Sequence, residues 1–220
     1  MAITAYSELI SAGQNWLHRS SAEIVARLPE FIALAEAGFN YGLVMPDLKI
    51  DTPGLRVRQM ETRVTATVNE EYEDLPSDFL EMRSIRLNTT PIATLSFMTP
   101  SQMDATFVGS ETGQPSAFCL VGDTIRFGKT PGDSYTAEMV YYQKIPALTS
   151  SATTNWLLTA RPDMYLYGML LQSAPYIGDT ARALTWASGY RGAMAGMQLS
   201  DSSGRWSGGP LQQRVGTGTP

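Results

Sequence analysis

Cysteine and histidine are nearly missing from these 220 residues: Cys119 and His18 occur once each. A lone cysteine forms no internal disulfide and fits a reducing cytosol. One Cys with one His falls short of the roughly four ligands of a structural zinc site. His18 has no nucleophile and orienting group at a fixed spacing, so triad chemistry is not expected. It reads as a cap or surface residue, and Cys119 as a buried packing residue in a strand. No run of about 18 apolar residues occurs, so no membrane span is expected. The opening MAITAYSELISAGQNW lacks a basic n-region and an apolar h-region and is expected to be folded structure rather than a signal peptide.

Positive charge is also sparse. Sixteen Lys and Arg face 21 Asp and Glu, a net charge of -5. The basic residues are scattered, as in Arg56/Arg58, Arg83/Arg86 and Arg161, and form no stripe that would neutralise phosphates. DNA near such a protein is expected to slide past rather than be held. Gly208-Gly209 is not a phosphate loop, which needs GxxxxGK[ST]. The acidic cluster Glu70, Glu71, Glu73, Asp74 and Asp78 lacks calcium-loop spacing and reads as a solvated turn. No carboxylate pair stands out for glycoside hydrolysis. Catalytic, cofactor and metal residues are therefore expected to be none.

The ends of the chain read as helices. Tyr6, Leu9, Ile10, Gly13, Trp16 and Leu17 recur at three- and four-residue steps, with Thr4 as N-cap and Glu8 just inside. Ser20 with Glu23 has the form of a capping box. Pro29 is expected to divide a short turn from a longer helix carrying Phe31, Leu34, Ala35 and Phe39. Residues 43–54, with two prolines and a glycine, read as an irregular excursion. Pro162-Asp163 should start a helix over 164–176 that is apolar on most sides, and a last helix should run from Thr180 to about Leu199. Trp16, Trp156, Tyr165, Tyr167 and Trp186 lie on these helices and suit a core or a subunit interface, since no basic groove accompanies them.

The middle has strand texture. Val64–Val68 and Arg83–Leu87 alternate, Gly122-Asp123 makes a two-residue hairpin turn, and Tyr135–Tyr142 is another strand. Thr99-Pro100-Ser101-Gln102 opens a short helix. The expected fold is α+β: a bundle formed by the N- and C-terminal helices, with an inserted small antiparallel β domain of sandwich or barrel-like form. The divisions are N-terminal helices at 1–54, the β domain at 55–149, C-terminal helices at 150–200 and an extended C-terminal arm at 201–220. That last stretch is rich in glycine and serine and alone should be disordered. Yet it holds Trp206, Leu211 and Val215, anchors of the kind that bury in a partner's groove, with Arg205 and Arg214 able to fork onto carboxylates.

Asn155-Trp-Leu-Leu-Thr159, Pro162-Asp-Met-Tyr-Leu-Tyr-Gly168, Ala174-Pro-Tyr176 and Trp186 resemble the signature of tailed-phage head-to-tail adaptor, or connector, proteins. Trp16–Arg19, Pro29–Glu36, Leu75–Ile85, Gly122–Arg126, Val140–Tyr142, Arg205–Gly208 and Arg214–Gly216 extend the likeness, in order, over nearly the whole chain. The resemblance implies a structural virion protein at the head–tail interface, assembled in the host cytoplasm. It implies a homo-oligomeric ring, normally of twelve copies, that binds the portal protein, meets tail or nozzle proteins below, and lets DNA through without specific binding. It also implies an arm that reaches the portal, here Arg205, Trp206, Pro210, Leu211, Arg214 and Val215. Residues 42–54 look like an insertion relative to the family. The alternatives are another head-closure or tail-tube protein, a virion hydrolase, or a carbohydrate-binding β module; an enzyme would need a pocket with convergent polar groups.

Overall fold

Six helices occur among the residues that the computed structural model describes, which are 2–19, 21–107 and 111–205. They are α1 (Tyr6–Leu17), α2 (Ala22–Tyr41), α3 (Pro100–Thr106), α4 (Trp156–Ala160), α5 (Pro162–Ile177) and α6 (Thr180–Arg205). With largely antiparallel sheets they make an α+β chain. The described residues divide into two compact units. One is built from the segments up to Val57 and from Ala147 onward, the other from Arg58–Pro146.

In the helical unit α5 is the central element, touching α1, α2, α4 and α6. Its sequence dictates this. Met164, Tyr165, Leu166, Met169, Leu170, Leu171 and Ala174 are buried and surround most of the helix, so it must be covered on several sides. Pro162 opens it at a position where the missing N–H costs nothing, and Gly178 closes it at φ 71°. Gly168 lets α2 approach closely: a Cβ there would lie 3.0 Å from Ala35 Cβ and 3.2 Å from Phe39 Cζ. Gly168→Val should therefore lower stability by about 1–3 kcal/mol through overpacking, read as a lower urea midpoint with an unchanged slope.

Several boundaries differ from the sequence reading. Ala5, not Thr4, is the residue before the first helical turn. Glu8 Oε2 reaches back to accept from the Thr4 and Ala5 amides and the Thr4 hydroxyl. His18 closes α1 in the left-handed region at φ 52°. Ser21 precedes α2, and Ser20 lies outside the described residues. α2 runs through Pro29 without a break. Pro29 is on the exposed face, where water can serve the carbonyl whose partner amide is missing. The 43–54 excursion is ordered as a small hairpin, β1 (Leu43–Met45) with β2 (Ile50–Thr52), turning through Pro46–Leu48 and Lys49 at φ 52°. Buried Ile50 anchors it. Gly42, at φ 92°, needs its missing side chain because a Cβ would stand 2.8 Å from Thr52 O.

The other unit contains β3 (Glu61–Val68), β4 (Tyr72–Asp74), β5 (Phe79–Leu87), β6 (Ala93–Thr94), β7 (Ser96–Phe97), β8 (Thr112–Gly113), β9 (Ala117–Val121), β10 (Thr124–Gly128), β11 (Thr130–Pro131) and β12 (Tyr135–Gln143). Eight of them form two four-stranded sheets, in the orders β3-β12-β5-β6 and β4-β10-β9-β7, and β8 and β11 form a separate two-stranded one. Val68, Ile85, Leu87 and Met139 from the first sheet share one core with Phe118, Ile125 and Phe127 from the second. Gly122-Asp123 makes the two-residue turn, bringing Val121 opposite Thr124. The sheets are not wholly antiparallel: β7 pairs parallel with β9, and β8 with β11. Parallel neighbours need a crossover, and for β7 and β9 the segment carrying α3 supplies it.

Candidate assembly site

Two of the polar residues buried in the helical unit, Glu36 and Asn155, meet through the hydroxyl of buried Tyr165. Glu36, 7% exposed, sits on α2 among Phe31, Ile32, Ala35 and Phe39. Its Oε1 accepts from Leu148 N at 2.8 Å and from the Tyr165 hydroxyl at 3.0 Å. Asn155 Nδ2 donates to the Tyr165 oxygen at 2.6 Å, while Asn155 Oδ1 caps α4 by accepting from Leu158 N at 2.8 Å. Each group has one defined role, so the segment from Ala147 to Asn155 is pinned to α2 and α5. Burial holds Glu36 above the usual carboxylate range, against the two hydrogen bonds. Burial, and then the Glu36 charge, push the Tyr165 phenol well above its ordinary value. A group closed off in this way positions the chain and does not meet a substrate.

Several other ionisable groups are also engaged locally. Arg126 spans Glu71 at 2.8 Å and Asp104 at 2.5 Å. Asp78 accepts from the Tyr141 hydroxyl at 2.9 Å, and burial first, then that bond, push Tyr141 up to about 12. Glu73 accepts from the amides of Asn69 and Glu70. Thus, of the acidic stretch read as a solvated turn, Glu70 and Asp74 are exposed, while Glu71 and Asp78 are tied to neighbouring strands. Cys119 packs with Met103 and Ala117, and burial raises its thiol. Among the described residues no group of three His, Cys, Asp or Glu could hold a metal ion, and no helix is long and apolar enough to cross a membrane.

Large apolar side chains remain exposed in the helical unit. Leu34 and Tyr41 lie two turns apart on α2, so they share one face, and Val44 follows on β1; their exposures are 52%, 66% and 67%. Leu184 and Leu199 are exposed on α6. The neighbouring Leu34, Tyr41 and Val44 are the group among these that resembles a contact surface; singly exposed Leu184 and Leu199 are ordinary for a folded surface.

Of the arm residues read from the sequence, Arg205 lies in the last turn of α6, its Nε 2.6 Å from Asp201 Oδ2. Trp206, Pro210, Leu211, Arg214 and Val215 lie outside the described residues. α6 is thus one and a half turns longer than the expected end at Leu199. The i,i+4 pair of Asp201 with Arg205 and the Ser202 Oγ bond to Leu199 O hold the added turn. Sequence reasoning did not isolate the Glu36–Tyr165–Asn155 cluster. The signal was an acid inside the apolar stripe of α2 and an N-cap asparagine ahead of Trp-Leu-Leu.

A family model described as SU10 adaptor protein matches residues 4–214. No curated protein matches the chain.

Proposed function

The chain belongs to the SU10 adaptor protein family, and from that premise we propose that it is the subunit of an adaptor ring joining the portal of a tailed phage to its tail. Membership makes it a structural component of a phage particle. In the proposed reading about twelve copies close a ring under the portal, tail or nozzle proteins attach below, and DNA passes through without specific binding. The observation that carries the reading is the extent of the match. It runs through the segments of both units and on to residue 214, rather than covering one of them. The exposed Leu34, Tyr41 and Val44 supply apolar surface of the kind subunit contacts need.

No enzymatic activity is proposed: the buried Glu36 carboxylate is committed to holding the helices together, and a connector needs only surfaces. The portal contact is assigned to the C-terminal arm, with Trp206, Leu211 and Val215 as apolar anchors and Arg214 as the charged one. Arg205 belongs to its root on α6. Co-expression with the portal protein of the same phage, followed by gradient sedimentation, tests the reading. The two should sediment together, and persistent separation would remove the portal as partner.

The channel of such a ring should be lined mainly by acidic or neutral side chains. A net charge of -5 with scattered cations argues for it, because each phosphate held would add affinity through counterion release and slow passage of the genome. DNA binding by the isolated ring should be undetectable by mobility shift at about 0.15 M salt. Tight, salt-sensitive binding would contradict this.

A further inference from the structure

The two sides of the β unit are unlike each other, and they match. On one side lie the outermost strands β3 and β4, one from each sheet. Between them the sandwich is not closed. A cavity of about 70 Å³ is lined by Ala66, Val68, Leu75, Ile125, Phe127 and Met139, with Thr67, Glu73 and Asp74 among its remaining walls. β3 is eight residues long, contains no proline, and among the described residues has a strand hydrogen-bonded only on its β12 side. Thr65, Ala66 and Thr67 are all exposed. A long uncovered edge of β-branched residues is a template for pairing unless something blunts it.

The opposite side is formed by β6 and β7, the other outermost strands. There the chain passes from one sheet to the other through the single residue Leu95. Two large apolar side chains flank that crossing in the open: Ile92 is 58% exposed and Phe97 62%. Phe97 rests edge-on against Phe118, with ring centroids 5.5 Å apart, so it is held in place while facing outward. Exposed apolar groups of this size on one side, and an unfilled apolar cleft on the other, are the two halves of a heterologous contact. Such a contact repeats from copy to copy and closes into a ring when the rotation allows.

We propose that neighbouring copies of this chain join through the β unit, with Ile92 and Phe97 of one copy seated against the cleft between β3 and β4 of the next. The occupant is a second copy because this chain itself carries both complementary surfaces, on opposite sides of one sandwich. The inference rests on the ring reading above and adds to it which surface makes the lateral contact. Val68, Ile125 and Phe127 are already buried, so a branched or aromatic side chain seated there would cap the small cavity above them and shield the outer edge of β3 with its exposed Thr65, Ala66 and Thr67.

The test uses the full chain. Ile92→Asp and Phe97→Asp, made singly and together, alter exposed residues and should leave the circular dichroism spectrum unchanged; Ile92→Asp alone should leave melting unchanged too, while Phe97→Asp should lower it slightly through the lost contact with Phe118. Particle size is read by mass photometry, for the chain alone and with the portal protein. The wild type should give rings and the double variant should give free subunits, or at least a 100-fold weaker assembly. In a second variant, Ile92→Cys with Thr67→Cys, oxidation should produce a ladder of covalent multimers, while either cysteine alone should stop at dimers. Rings that form as well with the double Asp variant, or that give no ladder, would overturn this contact and leave the ring reading standing. A wild type that never forms rings, alone or with the portal, would overturn both.

Discussion

Ending the chain after Arg205 should leave a folded protein that no longer attaches to the portal. The cut falls where it does because α6 extends to Arg205 and the Asp201–Arg205 pair belongs to its last turn. Removing 206–220 keeps that pair and takes away Trp206, Pro210, Leu211, Arg214 and Val215 together. Helical circular dichroism and ring assembly should be unchanged, since α5 and the core around it are untouched. Trp206→Ala should show a partial version. An anchoring tryptophan contributes on the order of 2 kcal/mol, about 30-fold in the affinity of one arm. Binding by many arms at once multiplies such losses, so the ring should detach far more completely than one arm's loss suggests. Portal co-sedimentation checks both variants. Undiminished docking of the shortened chain would remove the arm from the account.

Glu36→Ala should destabilise the helical unit by about 2–4 kcal/mol, because it strands a buried amide and a buried hydroxyl that now share one acceptor. Glu36→Gln keeps an acceptor oxygen and should cost within about 1 kcal/mol. The pair also has a pH signature. Burial raises the folded pKa of Glu36, so across the interval above the unfolded value the folded chain holds more protons than the unfolded one. The stability linked to this group is therefore full below the ordinary carboxylate range and falls as pH rises through its folded pKa. Other carboxylates, such as Asp163 beside Arg161, shift downward and act in the opposite sense. The quantity to measure is the wild-type stability minus that of Glu36→Gln. It should move in favour of the wild type as pH is lowered through that window. A difference independent of pH would contradict a proton held at Glu36.

The α+β character and most helices were legible because they rest on local signals. Period, caps and Pro162 placed α5, and Gly122-Asp123 fixed the hairpin. What misled was local too. Pro29 reads as a break, but a proline on an exposed face near the middle of a well-packed helix is tolerated when the flanking residues Ile24, Leu28, Phe31 and Ile32 are buried. Residues 43–54 read as irregular because two prolines and a glycine hide a three-residue pairing that a buried Ile50 secures. The Glu36 cluster joins residues up to 129 positions apart, a distance over which no periodicity speaks. The unlike sides of the β sandwich could not be read either. Which strand is outermost is a matter of sheet order, and β7 reaches its place through a parallel pairing that an expectation of plain hairpins omits.

The central claim is that this chain closes a ring on the portal. Electron microscopy of the purified chain mixed with the portal protein of its phage tests it most directly. The account predicts two coaxial rings stacked on one another, with the smaller-subunit ring at the tail-facing end and an open channel through both. Single subunits beside bare portals, or the chain polymerised into a tube with no portal attached, would contradict it.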